Sequence, residues 1–422
     1  MRVLIVNTSE RTGGAALAAS RLNEALRNNG IKSKMLVRDK QSEQISVVAL
    51  PASWRTGFHF LWERFVIWTA NNFRRENLFG IDIANTGTDI TSLPEFKEAD
   101  VIHLHWVNQG FLSLKDIRRI VDSGKPIVWT LHDMWPFTGI CHYCGDCDRY
   151  RTLCHHCPQL PGGGCSRDLS FRIFRQKEKM MADANITFVA CSEWMAQQAR
   201  QSALLADRPV IRIGNALNTT IFHPSDKHTA RMQHGLPENR RLLLFGSLKI
   251  TDKRKGIDFL IEACRLLADQ DPTLKDTLGI VIVGKEAERL SHLFPFPVHT
   301  IDYISDERRM ALLYTAVDAF VIPSMQDNLP NTIAEAMACG TPCVGFRTGG
   351  IPEMIDHEVN GYVARYKDAA DLADGIRYVL RTENSGQLSK AAYRKAVASY
   401  NESNIAMKHI EIYNHLTTHS RG

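Results

Sequence analysis

Short apolar runs, each followed by a polar loop and a helix-length stretch, recur along the whole of this chain. Arg2–Asn7 (RVLIVN), Lys34–Val37, Val101–Trp106 (VIHLHW), Ile127–Thr130 (IVWT), Ile186–Ala190 (ITFVA) and Val210–Ile213 form one series. Leu242–Phe245 (LLLF), Ile280–Val283, Val298–Ile301, Ala319–Ile322 and Cys343–Phe346 form a second. Runs this short and rich in β-branched residues mark strands buried on both faces, which is the habit of parallel sheets covered by helices. Strands alternating with helices throughout imply an α/β chain of two doubly wound, Rossmann-like domains facing a central cleft. The length of 422 residues, too great for one ordinary core, agrees with that count.

The stretch richest in chemistry is Pro323–Phe346, PSMQDNLPNTIAEAMACGTPCVGF. It leaves the strand Ala319–Ile322, crosses a polar loop and enters a helix whose start signal is Asn331-Thr332 and whose stop is Gly340-Thr-Pro342. A loop feeding a helix N-terminus offers backbone N–H groups and the positive end of the helix dipole, which suits phosphate; the amides of Asn328, Leu329, Asn331 and Thr332 are the candidates. Two acids ride on the same unit, Asp327 in the loop and Glu335 about one turn into the helix. Carboxylates repel a phosphate unless they serve the neutral parts of its ligand. The pattern therefore suggests a nucleotide sugar, with the diphosphate on the amides and one carboxylate for each sugar ring.

These residues also carry a resemblance. Asp327-x7-Glu335 running into EAMACGTPCVG is similar to the signature of the family-4-type retaining glycosyltransferases, the glycosyl transferases of group 1 with the GT-B fold. The resemblance implies that Glu335 holds the nucleotide ribose and that Asp327, where that family commonly has Glu, touches the donor sugar near its reacting carbon. Gly214-Asn-Ala-Leu-Asn218 with Phe222-His-Pro224 resembles the family segment that crosses between domains, with Ala216 and Asn218 departing from its usual Gly and Asp. It implies an acceptor-side domain over 1–214, a nucleotide-sugar domain over 215–400, and a last helix over 402–418 returning to the first domain.

Other loops fit the same reading. Gly13-Gly14 follows the first strand and opens a helix, where glycine lets backbone approach a ligand; no G-x-G-x-x-G is made, which weakens the case for a nicotinamide dinucleotide. The resemblance assigns this pair to the donor diphosphate. Lys249, Lys253, Arg254 and Lys255 crowd before another helix start, and fixed cations are what a departing nucleoside diphosphate requires. Lys255 matches the family lysine, whereas Ser247 stands where the family has Arg, so Lys249 or Arg254 must substitute. His132, at a strand's carboxyl end, resembles the family's donor-sugar histidine. His103 and His105 flank an earlier strand end as acceptor-side candidates, and the loop Asp302-Tyr-Ile304 corresponds to where the family often holds the base.

Six of the ten cysteines lie between 141 and 165. Cys144-x2-Cys147 and Cys154-x2-Cys157 are paired knuckles of the kind that close four thiolates on zinc, while Cys141, Cys165, His142, His155 and His156 are further donors, and disulfides are the competing account. Similar inserts in bacterial polysaccharide-biosynthesis transferases imply the set Cys141, Cys147, Cys154 and Cys157, with Cys144 as rival. Such a closed site would be structural and would pin the loop after His132; basic residues supply the charge at the reacting centre, so no catalytic metal is expected.

Residues 54–79 differ in character. Trp54, Phe58, Leu61, Trp62, Phe65 and Trp68 recur at helical steps with Arg64, Arg74 and Arg75 nearby. The stripe reads either as a buried helix face or as an interfacial helix on an anionic membrane, the second suiting a lipid-linked acceptor. A net charge of +5 is too mild to argue for nucleic acid. MRVLIVNTSE reads as a strand rather than a secretion signal, and no run of about 18 apolar residues appears. The expectation is a cytoplasmic enzyme, peripheral on the inner face of the plasma membrane. It would move a sugar from a UDP- or GDP-linked donor to a glycan or lipid-linked acceptor in cell-surface polysaccharide synthesis. A sugar-nucleotide epimerase of the same fold and a zinc-stabilised binding module without catalysis are the alternatives.

Overall fold

The computed structural model describes residues 1–51, 53–250 and 252–419. The chain forms two compact units: Met1–Ala216 together with the residues from Ser403 onward, and Leu217–Glu402.

The first unit is built on β1 (Arg2–Ser9), β2 (Lys32–Asp39), β3 (Val47–Ala49), β4 (Val101–Leu104), β5 (Ile127–Leu131), β6 (Ile186–Ala190) and β7 (Val210–Arg212). They lie in the order β3-β2-β1-β4-β5-β6-β7, every pair parallel. Successive side chains of β1 point to opposite faces, and both faces are covered. Val3 and Ile5 pack with Ala19, Leu22 and Leu26 of α1 (Gly14–Asn28) and with Ile405 and Ala406. Leu4 and Val6 join Ile102, Trp129, Phe137 and Phe188 in the larger core on the other side. Double coverage explains why these strands read as continuous apolar runs.

Between the strands lies α2 (Trp54–Ala70). The second unit carries β8 (Arg241–Lys249), α3 (Ile257–Gln270), β9 (Leu278–Lys285), β10 (Val298–Ile301), α4 (Glu307–Ala316), β11 (Ala319–Ile322), α5 (Asn331–Ala338), β12 (Cys343–Phe346) and β13 (Gly361–Ala364). Its six strands are also parallel, in the order β10-β9-β8-β11-β12-β13. The final helix, α6 (Glu402–His419), packs on the first unit through Ile405, Ile410 and Tyr413.

Each sheet reverses the direction of its connections once, between β1 and β4 in the first unit and between β8 and β11 in the second. The loops at the carboxyl ends of such a pair diverge and leave a crevice where ligands bind. The sequence runs overlooked β3 and β13, both short, and ended β8 four residues early. They left open on which side the aromatic stripe of 54–68 lies; in α2 Trp54, Phe58, Leu61, Trp62 and Phe65 face solvent while Glu63 and Arg64 are buried.

Candidate active site

The second unit gathers its charged residues at the β8/β11 crevice. After β8 a turn over Lys253–Lys255 is held by Asp252, whose side chain accepts from the Arg254 N–H at 3.0 Å. Met325 N–H donates to the Arg254 carbonyl at 2.8 Å, and the Arg254 guanidinium donates to the Gln326 carbonyl at 2.8 Å, so this turn is strapped to the loop after β11. Gly256 makes the strap possible. Its φ is +71°, and a Cβ there would sit 1.9 Å from the Pro323 carbonyl oxygen.

The result is an ion cluster of two half-buried cations around buried Asp327. Lys255 Nζ donates to Asp327 Oδ2 at 2.6 Å, Arg254 Nη1 lies 3.7 Å from the same oxygen, and Ser324 Oγ donates to it at 3.3 Å. Burial alone would raise the Asp327 carboxyl, but Lys255 and then Arg254 outweigh it and hold it below the usual carboxylate range. Arg254 thus stands beside Lys255, whereas among the described residues exposed Lys249 forms no ion pair with Asp327.

α5 brings Glu335 inward. The carboxylate is buried, and Tyr314 of α4 donates its hydroxyl to Oε2 at 2.9 Å. Burial, and then the Glu335 charge, push the Tyr314 phenol well above its ordinary value, which keeps it a donor. Half-exposed Tyr303, in the loop after β10, is raised by burial and then by the same carboxylate, so an aromatic ring stands within electrostatic reach of Glu335. α5 starts at Asn331 as expected, with Pro330 as its N-cap and no side chain capping it. Asn328 and Leu329 are buried in the loop, with Asn331 and Thr332 half-buried behind them.

In the first unit Gly13 has φ +93° and caps an exposed start of α1 with open space where a Cβ would be. His132 follows β5. Its Nε2 shares a hydrogen bond with His105 Nδ1 at 2.8 Å, and Cys191 Sγ lies 3.8 Å from its Nδ1. Burial lowers the His132 pKa to about 4 against the opposing pull of Asp133, so the ring is neutral at physiological pH. His103 is wholly buried between Tyr413 and Thr130, at 2.7 Å each.

Beside His132 runs a network that the spacing of residues did not reveal. His142 Nδ1 meets Asp133 Oδ2 and Nε2 meets Asp82 Oδ2, each at 2.7 Å. Burial works against the charged ring, yet the two carboxylates raise it to about 10. Asp133 also accepts from Trp106 Nε1 at 2.8 Å and from the Trp135 N–H at 2.9 Å. Asp82 in turn pairs with Arg64 of α2. No local pattern signals these partners, which come from four separated segments.

The cysteine loop departs from the zinc expectation. All ten cysteines are free thiols. Cys141, Cys144, Cys147, Cys154 and Cys157 surround a cavity with about 20 Å³ of open space, roughly one water's worth. Among the described residues, no group of three or more His, Cys, Asp or Glu side chains is placed to hold a metal ion. His142 is committed to its two carboxylates. Burial above all, with charge from neighbouring thiols adding to it, pushes Cys144 and Cys157 to about 11 and Cys154 to about 12, leaving neutral packed thiols. As folded, the donor set gives the zinc expectation no support.

Comparison with known proteins bears on the whole chain. Residues 239–382 match the model described as glycosyl transferases group 1, and residues 12–221 match that of glycosyltransferase family 4. A D-inositol 3-phosphate glycosyltransferase of Saccharomonospora viridis is 27% identical over 309 residues, covering 70% of this chain and 66% of its own length, slightly under two thirds. Among solved structures, a sucrose-phosphate synthase from Thermosynechococcus elongatus superposes with a TM-score of 0.67 at 19% identity, covering 99% of both chains. The Anabaena protein HepE, crystallised with UDP-glucose, superposes with a TM-score of 0.66 at 17% identity over 98% of this chain and 99% of its own. These two likenesses are of fold, the two Rossmann-like domains of the GT-B class. With both halves matched by models of one kind, this chain belongs to the family-4 type of the group 1 glycosyl transferases.

Proposed function

We propose that the protein is a retaining glycosyltransferase that moves a sugar, of hexose type, from a nucleotide donor to an acceptor hydroxyl. The observation that carries this reading is the Lys255–Asp327 pair with Arg254 beside it, at the carboxyl edge of the β8/β11 crevice. Two fixed cations supply the charge that a nucleoside diphosphate needs as it departs. In the reaction the anomeric carbon–phosphate oxygen bond breaks and its electron pair leaves with the diphosphate. The acceptor oxygen bonds to the same carbon, and its proton passes to the departing phosphate oxygen, which keeps the new bond on the old face.

Each residue has a task that its surroundings support. Asp327, held ionised by Lys255, accepts from hydroxyls of the donor sugar. Glu335, fixed by the Tyr314 hydroxyl, takes the ribose hydroxyls, and Tyr303 offers a ring face to the base. The amides of Asn328, Leu329, Asn331 and Thr332 take the phosphates. Neutral His132 is a hydrogen-bonding partner for the donor sugar rather than a cation. The acceptor is a glycan or a lipid-linked sugar in cell-surface polysaccharide synthesis, reached at the inner face of the plasma membrane. UDP-glucose bound to the Anabaena neighbour makes UDP-linked hexoses the first donors to try.

The test is a thermal-shift screen of UDP-, GDP- and dTDP-sugars, followed by product analysis with the stabilising donor. A ligand at 100 times its Kd raises stability by about 2.7 kcal/mol, a readily visible shift. Release of nucleotide only when an acceptor is present, with the anomeric configuration kept, supports the transferase. Release of nucleotide and epimerised sugar without any acceptor would make it an epimerase, and no shift with any donor would remove both readings.

A further inference from the structure

Of its described apolar residues, α2 sets only Ile67, with half-buried Val66, into the core and turns most of its aromatic side to solvent. Its polar residues Glu63 and Arg64 are buried, while Trp54, Phe58, Leu61, Trp62 and Phe65 form a solvent-facing stripe, with Trp54 77% and Leu61 65% exposed. The buried side is pinned by charge. Glu63 accepts from the Ile83 and Ala84 N–H groups at 3.0 and 2.6 Å, and Arg64 pairs with Asp82 and donates to the Leu78 carbonyl at 2.6 Å. Rolling the aromatic stripe into the core would drag these groups out of their bonds, so the stripe stays outside. Its rings form a continuous ladder, with centroids 6.2 Å apart from Trp54 to Phe58, 6.0 Å on to Trp62 and 5.9 Å on to Phe65. The turn that follows extends it: Phe73 and Phe79 are exposed, and exposed Arg74, Arg75 and Glu76 lie between them in the chain.

Apolar surface on this scale marks a docking face. Two indole rings, each apolar in body and polar at one edge, suit the headgroup boundary of a bilayer, and the Arg74–Arg75 pair suits lipid phosphate. No described helix is long and apolar enough to cross a membrane, so this one would lie along its surface. We propose that α2 and the turn after it dock on an anionic bilayer, aromatic stripe in the acyl boundary and the two arginines at the phosphates. The proposal names the lipid surface at which the proposed lipid-linked acceptor would be met; it rests on the function above only for that acceptor.

Flotation of the full chain with phosphatidylcholine vesicles, with and without phosphatidylglycerol, tests it. The protein is expected to float with the anionic vesicles and to be released by salt. Trp62→Ser with Phe65→Ser should lower partitioning at least about tenfold on anionic vesicles, since two rings leave the boundary. Arg74→Gln with Arg75→Gln should lower it about tenfold on anionic vesicles and hardly at all on neutral ones. Because all four side chains are exposed, melting temperature and donor binding should be unchanged, which separates a failure here from a failure of the donor reading. A wild type that floats with neither vesicle, or a Trp62/Phe65 variant that floats as well as the wild type, would overturn the proposal. So would a solution dimer that the same variant splits, for then the stripe's occupant is a second copy of the chain.

Discussion

Replacing His142 with Gln probes the least visible part of this site. The imidazolium lies between Asp82 and Asp133 at 2.7 Å from each, with His142 only 9% exposed. A histidine raised from 6.5 to about 10 gains roughly 5 kcal/mol for its charged form by linkage. Burial argues for a smaller loss when the ring is removed, about 3–5 kcal/mol, most of it from two carboxylates left facing each other. The sign follows from the raised value: the stabilisation is full below about pH 6.5 and disappears as pH climbs through about 10. All seven tryptophans lie in the first unit, so their fluorescence in denaturant reports on that unit alone. At pH 7 the variant should unfold earlier by about 3 kcal/mol or more, and the gap should close toward pH 10.5. Lys177, lowered by burial to about 7, and Glu63, raised by burial to about 7, titrate in the same window and feel the same carboxylates, so the comparison is repeated in a Lys177→Met, Glu63→Gln background, where the gap at pH 7 should persist. A variant as stable as the wild type at pH 7, or a gap that does not change with pH, would refute the reasoning.

Three further outcomes are expected. Tyr314→Phe removes the donor that fixes Glu335 and should weaken UDP binding about three- to tenfold, as read by titration calorimetry, while the buried carboxylate left one bond short lowers stability by about 1–3 kcal/mol. Gly256→Ala places a Cβ 1.9 Å from the Pro323 carbonyl at a positive φ, and should destabilise the second unit by about 2 kcal/mol or more while leaving the tryptophan-reported transition in place. Among the cysteines, exposed Cys165 should be alkylated by iodoacetamide well before buried Cys264 and Cys343, whose thiols burial pushes far up; mass spectrometry over time checks the order.

The parts of the fold legible in advance were those whose evidence is local. β6, β11 and β12 have the bounds their apolar runs suggested, because a strand buried on both faces needs nothing but its own composition to be seen; the half-buried edge strand β10 also has its expected bounds. β3 escaped because three residues make no run, and β13 because Gly361 and Ala364 leave only Tyr362 and Val363 to mark it. For the candidate site, the signature around Asp327 and Glu335 drew attention to the β8/β11 crevice, where Lys255 also lies. What could not be read was who holds whom. Asp327 meets Lys255 across 72 residues of chain, and Tyr314 meets Glu335 from a different helix. His142 looked like one more zinc donor until Asp82, 60 residues away, claimed its Nε2. In α2 the periodicity revealed a stripe but not its direction, since an amphipathic pattern does not say which face meets water. Only the buried partners of Glu63 and Arg64 decide that.

The central claim is that Lys255 and Arg254 exist at the β8/β11 crevice to receive a nucleoside diphosphate. Titration of UDP, GDP and dTDP into the wild type and into Lys255→Met by calorimetry addresses it directly. The account expects at least one nucleotide to bind the wild type and to bind the variant roughly 30-fold or more weakly, the value of a charged hydrogen bond to phosphate. Equal affinity in the two proteins, or no binding to the wild type, would contradict it.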